Sequence, residues 1–246
     1  MKMERLIRSV ETSRFSINGQ LTSDISTNLM LEAMVQDLPL IDQIRNHKLV
    51  PLDVALCLAV IGLESHEGLG PTLRTSQPLD PRWRPLLLPE IWSEILEDCH
   101  ETDSLNLSSA LLQIFDFWEE SHSAAQLSDD KGERLVSAHW HAICHRREPD
   151  PGNANYWWAR VRKSLFSDAL REIITASIPE LGQMDQKFLQ RLIDGGSFDN
   201  KMMVSSALAA RIGSTDEFLL RKVQKYEMLF MISASIESLR GSDKFS

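Results

Sequence analysis

The stretch Lys131-Gly-Glu-Arg-Leu-Val-Ser-Ala-His-Trp-His-Ala-Ile-Cys-His-Arg-Arg147 decides the fold. Wound as a helix at roughly 100° per residue, its Leu135, Val136, Ala138, Trp140, Ala142, Ile143 and Cys144 cover most of the circumference. A helix that is apolar nearly all round is packed by neighbours on several sides, so this one belongs at the centre of a helical protein. The residues that follow, Glu148-Pro-Asp-Pro151, end it and begin the next. Pro149 disfavours helix in the residue before it, Asp150 reads as an N-cap, and Pro151 occupies a first helical position where its missing N–H costs nothing.

Outward from this centre, apolar residues recur at spacings of three and four, and alternation with a period of two is scarce. The spacing predicts helices at roughly 26–46, 52–65, 89–101, 104–123, 131–147, 151–163, 165–177, 184–194, 199–212 and 215–239. Ser214-Thr-Asp-Glu217 is a capping box for the last of them, and Gly213 ends the one before. Residues 1–22 read as an irregular segment with a short strand pair around Asn18-Gly19. Residues 70–89 hold five of the ten prolines and exclude a regular helix or central strand. Trp83 and Leu86 to Leu88 would be out of place in a free linker, so this is expected to be an ordered loop packed over the helices. The expectation is an all-α fold, a compact irregular multi-helix bundle forming a single domain over residues 1–246.

With 246 residues the chain can bury a sizeable core, and 43% hydrophobic with 25% charged residues is an ordinary globular balance. The net charge of −9 argues against a nucleic-acid partner, which calls for a basic face. Cys57, Cys99 and Cys144 form no CxxC pair, which fits a reducing compartment rather than a disulfide framework or a zinc knuckle. Met1-Lys-Met-Glu-Arg-Leu-Ile-Arg8 lacks the apolar stretch of a secretory signal. The longest apolar run, Val54 to Leu63, is about half of what a bilayer requires. A cytoplasmic protein with no membrane partner is expected.

The chemistry is concentrated between Asp116 and Arg162, which holds four of the seven histidines and four of the six tryptophans. His141 and His145, four apart, stack on one face of the central helix, in a stripe with Ala138 and Glu148. Glu119, His122 and Gln126 form a stripe on the preceding helix, and a short connection around Ser128 to Gly132 makes the two helices neighbours. Glu-x-x-His facing His-x-x-x-His has the residue types of a helical-bundle metal site. His122, His141, His145 and Glu119 are therefore candidate ligands of a divalent metal, and the three histidines are candidate acid–base catalysts. A metal-free polar cluster, or histidines satisfied by backbone and water, would show the same spacing.

Arg146, Arg147 and Arg160 make the region locally cationic, with seven positive against three negative residues from Lys131 to Lys163. Such a reversal within an acidic protein suits a small anionic ligand bound by arginine forks. Alternatively, Arg147 pairs internally with Asp116, Glu119 or Glu148, and Arg160 complements a helix dipole. Asn153, Trp157 and Arg160 share a stripe on the next helix, and Tyr156 and Trp157 offer stacking surfaces for a planar ligand or for an arginine. No G-x-S-x-G elbow, P-loop, G-x-G-x-x-G or H-E-x-x-H occurs.

These residues resemble a motif of a widespread family of uncharacterised bacterial and fungal proteins. The match runs through Ser121, His122 and Gln126, then Trp140, His141, His145, Arg146, Arg147, Glu148, Pro149 and Asp150, then Asn153, Ala154, Tyr156, Trp157 and Arg160. Val223 to Phe230 matches more weakly. The resemblance implies a shared site rather than a named activity. The chain departs from the pattern at Val161, where the family carries a second arginine; here the arginine comes one residue later, which leaves Arg162 outside the motif. Two functions stand open: a small-molecule-binding protein or enzyme with a His/Arg pocket for an anionic ligand, and a helical interaction scaffold whose polar cluster fixes helix register.

Overall fold

The computed structural model describes residues 50–96, 99–161, 167–177 and 182–242, together with residues 16–17, 20–21, 42, 44 and 46. The fold is all-α. Ten α-helices occur among the described residues: α1 Pro51–Glu64, α2 Pro89–Ile95, α3 Glu101–Ile114, α4 Trp118–Asp130 and α5 Val136–Arg147 come first. They are followed by α6 Pro151–Arg160, α7 Ser167–Ser177, α8 Gln183–Arg191, α9 Asn200–Ala209 and α10 Thr215–Ser242. Ser16–Ile17 and Gln20–Leu21 pair as two antiparallel strands, Ser16 opposite Leu21. The helix expected at 26–46 lies outside the described residues except at Asp42, Ile44 and Asn46, which are helical. Arg162, Lys163 and Leu165 also lie outside them.

The central helix is α5, as its all-round apolar pattern requires. Every residue from Ser137 to Arg147 is buried. It packs between α4 and α6, with α3 and α9 also against it. Its start is fixed by Glu133, whose Oε1 accepts from the backbone of Leu135 at 2.8 Å and Val136 at 3.0 Å and whose Oε2 accepts from Ser137 at 2.6 Å. That cap places the helix start five residues later than the periodicity indicated and leaves Leu135 exposed. At the other end Asp150 caps α6 through the backbone N–H of Asn153, as its position before Pro151 predicts. The capping box at Ser214 also forms: Glu217 N–H donates to Ser214 Oγ and the Glu217 carboxylate accepts from Gly213 N–H.

One expected helix is two. The segment 104–123 breaks at Phe115–Phe117, because Asp116 sits in the left-handed region at φ 65°. Asp tolerates that conformation better than most residues. The break turns α4 back along α3 and so aims His122 at α5. The proline-rich loop is ordered, with a 3-10 turn over Pro81–Leu86 that buries Trp83, Leu86 and Leu87. Trp83 packs on Phe115 at 5.1 Å between ring centroids.

At Gly62, α1 packs tightly against the C-terminal end of α3. A Cβ there would lie 2.5 Å from Ile114 Cγ2 and 2.7 Å from Phe115 Cε2. Overpacking of this kind costs about 1–3 kcal/mol, whereas the helical preference of alanine over glycine returns about 1 kcal/mol. Gly62→Ala is therefore expected to destabilise by up to about 2 kcal/mol in urea titrations; a raised midpoint would contradict the packing.

Candidate functional site

The turn between α4 and α5 makes them antiparallel neighbours, and their facing stripes meet at three imidazoles. His122 comes from α4, and His141 and His145 come from successive turns of α5. One ring nitrogen from each lies within 4.8 Å of the others. The Nε2 atoms of His122 and His141 are 2.9 Å apart, a hydrogen bond in which one ring donates. His141 and His145 stack with centroids 5.0 Å apart, and His122 stands edge-on to both. His141 and His145 are buried, and His122 is half-buried on the outer side.

Aromatic walls hold the rings in place. Trp157 of α6 stacks on His141 at 3.8 Å and 17°, and Trp118 of α4 stacks on His122 at 5.5 Å. Trp118 is itself tied to α5, its Nε1 donating to the Cys144 carbonyl at 3.0 Å. Tyr156 meets Trp157 edge-on, and the Arg160 guanidinium lies 3.8 Å over the Tyr156 ring. Tyr156 and Arg160 are exposed and form the outer layer of this stack. Trp157 stacks on a histidine, and the Arg160 guanidinium lies 5.3 Å over its ring, the arginine contact expected for it.

Burial governs the charge state. Burial, reinforced by the neighbouring His122 and His145, lowers His141 to about 3. His122 is lowered by burial and then by His145, against the opposing pull of Glu148. His139, on another face of α5, is lowered by burial despite Glu227 beside it. In the fold these three rings are therefore neutral at pH 7, the form that offers a lone pair to a ligand or metal. Unfolding exposes them to their ordinary value of about 6.5, so below that pH the unfolded chain takes up protons that the folded chain refuses. Stability is expected to fall as the pH drops below about 6.5, with the His141 contribution lost progressively down to about 3. The urea midpoint at pH 5.5 should lie below that at pH 7.5; equal midpoints would show that the rings titrate freely in the fold.

The paired arginines turn elsewhere. Arg147 Nη2 meets the Asp116 carboxylate, and its other nitrogens donate to Thr72 O at 2.8 Å and Gln113 O at 3.2 Å. Arg146 Nη2 donates to Glu227 Oε2 at 2.6 Å and Gln224 Oε1 at 3.1 Å, joining α5 to α10. All four charged side chains of these two pairs are fully buried. Arg147 thus follows the internal-pairing alternative and straps the proline-rich loop to α5. Burial opposes ionisation of Glu227, but the Arg146 charge and the approach of His139 prevail and hold it below the usual carboxylate range.

Of the other residues singled out in the sequence, Glu119 lies outside the three-histidine group. It is exposed and belongs to no metal-ligating group among the described residues. One turn before His122, it projects to solvent. Its place beside the histidines is taken by Glu148, whose Oε2 lies 2.8 Å from His145 Nδ1. Gln126 bonds Asp130 at 2.9 Å, and Asn153 Nδ2 donates to Asp150 Oδ2 at 2.8 Å. Cys144 lies outside the three-histidine group; burial pushes its thiol up to about 12, and its Sγ donates to Gln113 Oε1 at 3.2 Å.

Sequence reasoning assigned no role to Trp118, His139, Gln224 or Glu227. For the last two a signal existed. A helix with no solvent face requires a buried partner for Arg146, and Glu227 and Gln224 on α10 supply it. No protein-family model, curated protein or solved structure matches the chain. No described helix is long and apolar enough to cross a membrane.

Proposed function

We propose that the protein binds a divalent transition-metal ion through His122, His141 and His145, and that the remaining coordination position takes a small anionic molecule. One observation carries this reading: three imidazole nitrogens from two packed helices converge within 4.8 Å. Ligand nitrogens about 2.1 Å from a zinc-like ion stand roughly 3.0–3.4 Å apart, depending on geometry. The His122–His141 separation of 2.9 Å is within a small side-chain rotation of that spacing. Imidazole ligands suit zinc, copper, nickel or iron, and three protein ligands with an open fourth position is the pattern of a reactive site rather than a closed structural one.

The anionic preference follows from charge. Imidazole ligands bring no negative charge to a divalent ion, and a small carboxylate, phosphate or hydroxide at the open position offsets part or all of it. The half-buried edge at His122 is the side from which such a molecule would enter. Bound there, the ion would acidify a coordinated water to a pKa of about 7, the supply of nucleophile that a hydrolase or lyase uses. Arg146 and Arg147 contribute by rigidity, fixing α5 to α10 and to the loop. The rival reading, a scaffold with a purely structural cluster, draws on the direct His122–His141 hydrogen bond, which satisfies those two nitrogens without any ion.

Zinc or cobalt titration of untagged protein separates the two. One equivalent per chain is expected to bind, with cobalt giving visible bands of a low-coordinate nitrogen site. His122→Ala, His141→Ala and His145→Ala should each weaken binding by at least tenfold, whereas His100→Asn, at an exposed position, should not. Wild-type protein that binds no ion, or binds it equally well in the alanine variants, would leave the scaffold reading.

A further inference from the structure

His145 has two ring nitrogens and only one of them can serve the three-histidine group. Its Nδ1 is 2.8 Å from Glu148 Oε2. A carboxylate at neutral pH only accepts hydrogen bonds, so the proton of that contact sits on Nδ1. A neutral ring protonated on Nδ1 carries its lone pair on Nε2. We propose that Glu148 is a positioning residue for the metal group, fixing the tautomer and orientation of His145 so that the Nε2 lone pair points toward His122 and His141. The proposal rests on the metal reading above and adds the residue that prepares its third ligand.

The local structure makes Glu148 suited to this task. It caps α5, with its backbone N–H on the Cys144 carbonyl at 2.9 Å, and the next turn closes when Asp150 N–H bonds the His145 carbonyl at 2.9 Å. Pro149 between them allows no continuation of the helix. The backbone under the carboxylate is thus tied down on both sides, and the side chain has a short reach back to the ring one turn earlier. Asp150 is the other carboxylate nearby, as part of a group with His145 and Glu148. Its two oxygens are already engaged, Oδ1 by the Asn153 N–H at 3.0 Å and Oδ2 by Asn153 Nδ2 at 2.8 Å. Glu148 is left as the partner of His145. A carboxylate behind a ligating histidine keeps the ring in one tautomer and raises its basicity, and loss of such a partner weakens metal binding by about 10–100-fold.

The test uses Glu148→Ala and Glu148→Gln in the full chain with two readouts. The side chain is 42% exposed, so both variants are expected to fold, as circular dichroism would verify. In competition with a chromophoric chelator, Glu148→Ala should bind zinc about 10–100-fold more weakly than wild type. Glu148→Gln, which keeps an acceptor oxygen without the charge, should fall between. Nitrogen NMR of the metal-free protein should show His145 protonated on Nδ1 in wild type and redistributed toward Nε2 in Glu148→Ala. Unaltered zinc affinity in Glu148→Ala, or a wild-type His145 protonated on Nε2, overturns the positioning role while leaving the metal reading intact. Wild-type protein that binds no zinc overturns the metal reading, and the NMR result then decides by itself whether Glu148 sets the tautomer.

Discussion

Arg147→Ala is expected to destabilise the protein by about 3–5 kcal/mol, a large fraction of the stability of a typical domain. The substitution strands the Asp116 carboxylate, fully buried and no longer opposed by a cation. Ser76 Oγ, 2.7 Å from Asp116 Oδ2, would remain as its one hydroxyl partner on the loop. Thr72 O, Arg74 O and Gln113 O would lose the guanidinium at the same time and keep Gln224 Nε2, Thr72 Oγ1 and the Asp116 N–H respectively as donors. Because Asp116 also holds the left-handed turn between α3 and α4, the loss spreads to the break that aims His122 at α5. Arg147→Lys should recover little, since a single ammonium cannot reproduce a planar fork with several acceptors. The measurement is urea unfolding followed by circular dichroism. A loss below about 1 kcal/mol would place Arg147 among the surface charges rather than the buried ones.

A comparable loss, about 3–5 kcal/mol, is expected for Glu227→Ala, which leaves the Arg146 guanidinium buried without its counter-charge. Arg146 already has Nε and Nη1 without acceptors among the described residues, and Gln224 Oε1 at 3.1 Å would remain as a neutral acceptor only. The pair is nevertheless a costly way to hold α5 against α10, because both ions are desolvated. Replacing both, Arg146→Met with Glu227→Leu, should therefore regain most of the stability lost in the single variant. A double variant no more stable than Glu227→Ala would show that the pair is net stabilising.

The centre of the fold was legible in the sequence because its signals are local. The all-round apolar pattern of α5, the Asp150-Pro151 start of α6 and the capping box at Ser214 each depend on residues within one or two turns. The turn at Asp116 was not legible. No glycine marks it, and the left-handed conformation is held by Arg147, 31 residues away in sequence. The same distinction runs through the site. His141 and His145 share a face by helical spacing alone, and the short connection after α4 brought His122 to them. Which carboxylate joins them was a tertiary matter: Glu119 and Glu148 both sit one turn from a histidine, and the roll of α4 sends Glu119 to solvent. The adjacency of Arg146 and Arg147 suggested a cationic pocket, but partners for both lie on other elements. Glu227 stands 81 residues from Arg146. Their burial was nonetheless implied by a helix with no polar face.

The central claim is that three imidazoles hold one metal ion, and anomalous diffraction at the zinc edge from crystals of the zinc-loaded protein tests it most directly. The account predicts a single strong peak per chain about 2.1 Å from one nitrogen each of His122, His141 and His145. His145 should ligate through Nε2, with Glu148 still on Nδ1. The absence of a peak between the three rings, with His122 and His141 still hydrogen-bonded to each other, would contradict it.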